Sequence, residues 1–131
     1  MKVSVLLWID DMRNPHDPIW DKWIRERVMS EGFIAVHWVK KYDEFVSWIE
    51  RNGLPHVICF DHDLSDIHIK KSTYKEKTGF DCAKWLTEYC MDKNLKLPIH
   101  LLQTSNPVGK KNIDDLLISF KKWQEEEKTH K

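Results

Sequence analysis

Residues Pro55–Asp66 read PHVICFDHDLSD, and this stretch decides the fold. Val57-Ile58-Cys59-Phe60 is a short continuous apolar run, β-branched at its start, with a proline just upstream. Such a run reads as a strand buried on both faces. It stops abruptly on Asp61-His62-Asp63, so the strand delivers its acids to its carboxyl end. In open α/β sheets that end is where ligands bind. Val3–Ile9 behaves the same way, a buried run that ends on Asp10-Asp11. Two buried strands that each end in carboxylates are the main functional signal of the chain.

Around these two strands the chain alternates. Asp17-Pro18 is a good helix start, a carboxylate cap followed by proline in the first turn. Ile19, Trp20, Trp23, Ile24 and Val28 form the apolar stripe of that helix, and Gly32 is expected to close it in the left-handed conformation. Phe33–Val39 reads as the second strand. Asp43 is expected to cap a second helix, with Phe45, Val46, Trp48 and Ile49 inward and Gly53 at its end. Thr78-Gly79-Phe80-Asp81 resembles a capping box with Asp in place of Glu, and Cys82, Ala83, Leu86, Tyr89 and Cys90 line the third helix. Leu97–Thr104 reads as strand four. Asn106-Pro107 then opens a helix whose Ile113, Leu116, Leu117 and Phe120 keep the i, i+3, i+4, i+7 spacing.

The resulting βαβαβαβα order predicts an α/β fold, a doubly wound parallel sheet of about four strands with helices on both faces. Right-handed crossovers give the strand order 2-1-3-4. Asp10, Asp11, Asp61 and Asp63 then converge where the winding reverses. The 131 residues suffice for one domain with a real core, read as 1–123, followed by a charged C-terminal tail, 124–131. Lys plus Arg and Asp plus Glu both number 21, so no overall field favours a membrane or a broad nucleic-acid surface. No apolar run approaches a membrane span. No signal-peptide pattern precedes the first strand, and Cys59, Cys82 and Cys90 have no metal spacing, so reduced thiols in a cytoplasmic protein are expected.

Four acids packed together repel one another unless one protonates or a cation joins them. Mg²⁺ or Mn²⁺ suits such oxygens and commonly shares them with substrate phosphates. Asp10, Asp11 and Asp61 are therefore the expected ligands, direct or through water, and Asp63 a ligand or a base. His62 is a proton donor for a leaving alkoxide, or else a histidine bonded to a nearby backbone carbonyl. At the end of strand four Thr104, Ser105 and Asn106 meet a helix N-terminus, a setting for phosphate. Lys110 in that helix's first turns opposes the dipole and joins them as a phosphate-binding candidate, as does Arg13. The tryptophans fit core stripes rather than a base-stacking platform. Ser65–Lys77 is a long segment without periodicity, of the kind that is usually functional. Its Lys70, Lys71, Tyr74, Lys75 and Lys77 suggest a lid over a phosphate ligand.

These residues resemble the receiver fold of two-component response regulators, a flavodoxin-like arrangement. Asp10 and Asp11 fall on its acid pair, Asp61 on its phosphoacceptor and Thr104 on its hydroxyl residue. More specifically the chain resembles the cyclic-phosphate processing receiver-like family, through WIDDMRNP (8–15), FDHDL (60–64), TGFDCAKWL (78–86) and SNPVGKKNI (105–113). The resemblance implies processing of a cyclic phosphate on a nucleotide or RNA end. It departs from ordinary receivers in lacking a clear fifth strand with its lysine and the Pro/Gly loop after the phosphoacceptor. It departs from its nearer relatives in carrying Gln103-Thr104 where they often have His-Ser.

Three functions follow as expectations. The first is a metal-dependent phosphoesterase in which metal-activated water opens the ring, with Asp61, His62 and Asp63 as catalytic residues. The second is a module that binds or sequesters a nucleotide without turnover. The third is a phospho-accepting signalling receiver modified on Asp61.

Overall fold

The computed structural model describes residues 3–28, 32–64 and 77–129. Four strands, β1 (Val3–Ile9), β2 (Phe33–Val39), β3 (Val57–Phe60) and β4 (Ile99–Leu102), alternate with four helices, α1 (Pro18–Arg27), α2 (Tyr42–Asn52), α3 (Gly79–Lys93) and α4 (Pro107–Thr129). The strands pair in parallel in the order β2-β1-β3-β4, as the sequence predicts.

Side chains of a strand point alternately to the two faces, and here each face is covered differently. Leu7 and Ile9 of β1 with Ile58 and Phe60 of β3 pack with Phe45 and Ile49 of α2, Cys82, Ala83 and Leu86 of α3, and Ile113 and Leu117 of α4. Leu6, Trp8, Val57 and Cys59 face the other way, onto Ile24 and the indoles of Trp20 and Trp23 in α1. Three helices thus cover one face and a single helix the other. The rings of Trp8, Trp20 and Trp23, with centroids 5.7–6.0 Å apart, supply there the apolar bulk that one helix alone lacks. The three cysteines are free and buried. Burial pushes the thiol of Cys90 up to about 11 and those of Cys59 and Cys82 higher still, so all three behave as core.

Local signals are obeyed in most places. Asp17 caps α1 by accepting from Ile19 N at 3.1 Å, and Gly53 ends α2 at φ 83°. Thr78 and Asp81 form the reciprocal capping box. Two caps differ from expectation. Helix α1 ends at Arg27 with Val28 extended, its N–H on Ile24 O at 2.8 Å. Gly32 is not left-handed, since Gly53 is the one positive-φ glycine among the described residues. Asp43 lies inside the first turn of α2, where its charge suits the dipole, and Lys41 takes the cap position without a side-chain bond.

Strand β4 is also shorter than the expected Leu97–Thr104, because the four-residue β3 offers it only four partners. The helical stripe of α4 continues to Thr129 through the charged residues from Gln124. Gln124 ties that end down, accepting from Leu97 N and donating to Leu95 O. No helix among the described residues is long and apolar enough to cross a membrane. The lid reading of Ser65–Lys77 falls outside the described residues except at Lys77, whose ammonium sits over the ring of Tyr42 at 4.4 Å.

Candidate functional site

The carboxyl ends of β1 and β3 lie side by side, with Ile9 paired to Phe60, so the next residue of each strand is an acid at the same level. Asp61 N donates to Ile9 O at 3.0 Å, and Asp10 N to Val39 O at 3.1 Å. Asp10 is fully buried and Asp61 nearly so. Asp10, Asp11 and Asp61 each place a carboxylate oxygen within 4.8 Å of the others. Asp63 is not in this group.

The Asp10 carboxylate is held from its own loop. Its Oδ1 accepts from the backbone N–H of Met12 and of Arg13, both at 2.9 Å. Two indoles pin the same loop: Trp38 Nε1 donates to Asp10 O at 2.7 Å and Trp8 Nε1 to Arg13 O at 2.9 Å. Sequence reasoning placed both tryptophans in the core alone. The missed signal was their position near strand ends beside an acid pair, where a buried indole N–H must find an acceptor.

Arg13 turns into the cluster. Its Nη1 lies 3.3 Å from Asp10 Oδ2 and 3.5 Å from Asp61 Oδ1, and its Nη2 donates to Ser105 Oγ at 3.3 Å. One guanidinium therefore faces two of the three carboxylates. The carboxyl of Asp61 is pushed up to about 6 by burial first, then by the charges of Asp10 and Asp11; the hydrogen bond from Thr104 and the charge of Arg13 pull the other way. Hard oxygens, like charges at close range and incomplete compensation are what a divalent oxygen-seeking cation resolves. The donor set fits Mg²⁺ or Mn²⁺.

Gln103, buried, reaches beneath this cluster. Its Nε2 contacts Ile9 O at 3.2 Å, Cys59 O at 3.4 Å and Asp10 Oδ2 at 3.5 Å. Its Oε1 is the buried side-chain oxygen without a hydrogen-bond partner among the described residues. An amide here ties the ends of β1 and β3 together and has no acidic or basic group that titrates near neutral pH.

His62 and Asp63 make a second, separate unit. His62 Nδ1 lies 2.9 Å from Asp63 Oδ1. Asn106 Nδ2 approaches both oxygens of Asp63 at 3.4–3.5 Å, while its Oδ1 accepts from Gly109 N at 3.0 Å and so caps α4. Asn106 Nδ2 also lies 3.4 Å from His62 Nδ1, so the contacts of this ring are made through Nδ1 and none is made through Nε2 among those described. Asn106 thus contacts the His–Asp pair as well as capping the start of α4. Thr104, buried, accepts from Asn106 N at 3.2 Å.

Two glycines make this proximity possible. A Cβ at Gly79 would meet the carbonyl oxygen of Asp61 at 1.8 Å, and one at Gly109 would meet His62 Cγ at 2.3 Å. The N-termini of α3 and α4 therefore close directly on the Asp61-His62 backbone and ring, and Gly79 N donates to His62 O at 2.8 Å. Of the expected phosphate-binding residues, Arg13, Thr104, Ser105 and Asn106 gather at this end of the sheet. Lys110 is exposed and lines a groove between α1 and α4 instead.

The sequence profile of the cyclic-phosphate processing receiver domain matches residues 5–119. A two-component response regulator of the LuxR family from Aurantimonas sp. SI85-9A1 superposes with a TM-score of 0.53 at 13% identity, over 88% of this chain and 69% of that one. A fusion protein carrying a yeast trimeric coiled coil superposes with a TM-score of 0.54 at 14% identity, over 88% of this chain and 65% of that one. Both likenesses are of fold. No curated protein matches the sequence.

Proposed function

This chain belongs to the cyclic-phosphate processing receiver family, and we propose that it is a metal-dependent phosphoesterase opening a cyclic phosphate on a nucleotide or an RNA end. The observation that carries this reading is the pairing of two units on consecutive residues. The acid cluster ends with Asp61, and the oriented His62–Asp63 pair begins at the next residue.

Asp10, Asp11 and Asp61 would hold Mg²⁺ or Mn²⁺. The ion would supply positive charge to a phosphoryl oxygen and a bound water of lowered pKa. Arg13 and Ser105, already bonded to each other, would bind the remaining phosphoryl oxygens, with Thr104 beside them. Asp63 would hold the His62 ring through Nδ1 and favour its protonated form, so that Nε2–H would donate the proton that the leaving ribose oxygen needs. Asn106 keeps that pair in place. The buried amide of Gln103 supports the ligand set and takes no part in proton transfer.

One observation favours the alternative, a nucleotide-binding module without turnover: the position where relatives often carry histidine is filled by an amide locked onto backbone carbonyls. Hydrolysis assays of cyclic mononucleotides with Mg²⁺, Mn²⁺ or chelator separate the two. The enzyme reading expects metal-dependent ring opening that Asp61→Asn abolishes. Binding with no opening under either metal would leave the binding module.

A further inference from the structure

Asp10 accepts hydrogen bonds on both of its oxygens. An ionised carboxylate offers about four acceptor positions. Oδ1 takes the N–H groups of Met12 and Arg13, both at 2.9 Å. Oδ2 takes Arg13 Nη1 at 3.3 Å and Gln103 Nε2 at 3.5 Å. A cation ligated by Asp10 must therefore displace one of these donors.

All but one of them are held from elsewhere. The loop that carries both backbone N–H groups is pinned by indole bonds, from Trp38 to Asp10 O and from Trp8 to Arg13 O. Gln103 is buried, and its amide also lies on Ile9 O and Cys59 O. The Arg13 guanidinium is held least. Its contacts with Asp10 and Asp61, at 3.3 and 3.5 Å, are longer than a good charge-assisted bond of about 2.7–2.9 Å. Its side chain is 24% exposed. It lies over the Trp20 ring at 5.7 Å, and Nη2 already reaches Ser105 Oγ at 3.3 Å. Rotation of this side chain alone frees Asp10 Oδ2 and Asp61 Oδ1 together and leaves the loop backbone where it is.

We propose that Arg13 is a displaceable counter-ion that sets the order of binding at this site. Without a divalent cation the guanidinium holds Asp10 and Asp61 and is engaged there rather than with an anion. Once Mg²⁺ or Mn²⁺ takes those oxygens, like charges repel and the guanidinium is released beside Ser105. An anion of the phosphate class then becomes its partner. One side chain cannot serve the carboxylates and a phosphate at once, so cation and anion bind in that order and reinforce each other. The proposal rests on the metal site of the proposed function and is independent of ring opening.

The test is isothermal titration calorimetry on the parent and on Arg13→Met, which keeps an apolar stem against Trp20 and loses the charge. Arg13→Gln is the second variant, should the first fold poorly. The probes are Mg²⁺ alone, inorganic phosphate in EDTA, and inorganic phosphate with saturating Mg²⁺, all at one ionic strength. The variants should bind Mg²⁺ about fivefold more tightly than the parent, because a partly exposed ion pair no longer competes. With Mg²⁺ present they should bind phosphate at least about tenfold more weakly, having lost a charged hydrogen bond. In EDTA, phosphate affinity should be the same in parent and variants. Opposite signs for the two ligands mark a single side chain that one displaces and the other recruits. Variants that bind Mg²⁺ no more tightly than the parent would overturn the proposal. So would variants whose phosphate affinity falls equally in EDTA and in Mg²⁺, or does not fall in Mg²⁺ at all. A parent that binds no Mg²⁺ would overturn both this proposal and the metal site. The expected pattern in a protein that never opens a cyclic phosphate would support the role of Arg13 and count against the proposed chemistry alone.

Discussion

The imidazole of His62 rests on the backbone of Gly109, so close that a Cβ at residue 109 would lie 2.3 Å from its Cγ. Alanine normally stabilises a helix over glycine by about 1 kcal/mol. Here the methyl group must push the ring aside and stretch its 2.9 Å bond to Asp63. Overpacking of this kind costs about 1–3 kcal/mol. Gly109→Ala should therefore be less stable in denaturant melts despite its better propensity. A variant more stable than the parent would mean that the ring swings clear at no cost.

Arg13 sets the balance of charge in the acid cluster. Its guanidinium is the cation that the described structure places against both Asp10 and Asp61. Arg13→Ala leaves those carboxylates less compensated, and the chelated protein should lose about 1–3 kcal/mol. The same change removes a competitor for metal, so Mg²⁺ should raise the melting temperature of the variant more than that of the parent. A smaller rise in the variant would show that Arg13 supports metal binding instead of opposing it.

Asp61 gives the chelated protein a pH dependence of definite sign. Its carboxyl moves from 3.8 to about 6 on folding, chiefly through burial. Between these values the folded state holds a proton that the unfolded state has released. Stability then falls as pH rises through this window and stays lower above it. The contribution is of the order of 3 kcal/mol. Because other groups titrate as well, the measurement is the difference between the parent and Asp61→Asn across pH 4–7 in EDTA. Urea melts should show the parent losing ground to the variant as pH rises. Parallel curves would mean that Asp61 is ionised throughout.

The fold was legible because its signals are local and repeated. Val3–Ile9 and Val57–Phe60 are uninterrupted apolar runs, and each ends on acids, which fixes both the parallel sheet and the direction of the site. Asp17, Thr78 and Asn106 announced three helix starts through side chains that accept from the first turn. The cap of α1 was less legible. Gly32 is an attractive stop signal, but Val28 had already left the helix, its backbone extended. Within the site, the sequence already singled out Asp10, Asp11 and Asp61, whose oxygens lie together, whereas the pairing of His62 with Asp63 could not be read. Two residues apart on one strand end, Asp61 and Asp63 look equivalent in sequence. Only the turn after Asp61, clamped by Gly79 on one side and Gly109 on the other, separates them.

That division makes the last prediction. If His62 and Asp63 act as one unit, their variants should affect turnover of a cyclic phosphate and spare metal binding. The His62 ring is mostly buried, 20% exposed, against 61% for Asp63. Loss of the ring should remove the proton transfer altogether, and loss of the Asp63 charge should only loosen its orientation. General acid catalysis contributes a factor of roughly 10²–10⁴. His62→Ala should lower kcat by about that factor, Asp63→Asn should lower it less, and the double variant should fall no further than His62→Ala alone. Non-additivity of this kind is the mark of residues that work as a unit. The Mg²⁺-induced rise in melting temperature should be the same in all three variants, since neither residue belongs to the acid cluster. Full additivity of the two losses would mean that Asp63 has a role of its own on the substrate. A lost metal response in Asp63→Asn would return it to the ligand set.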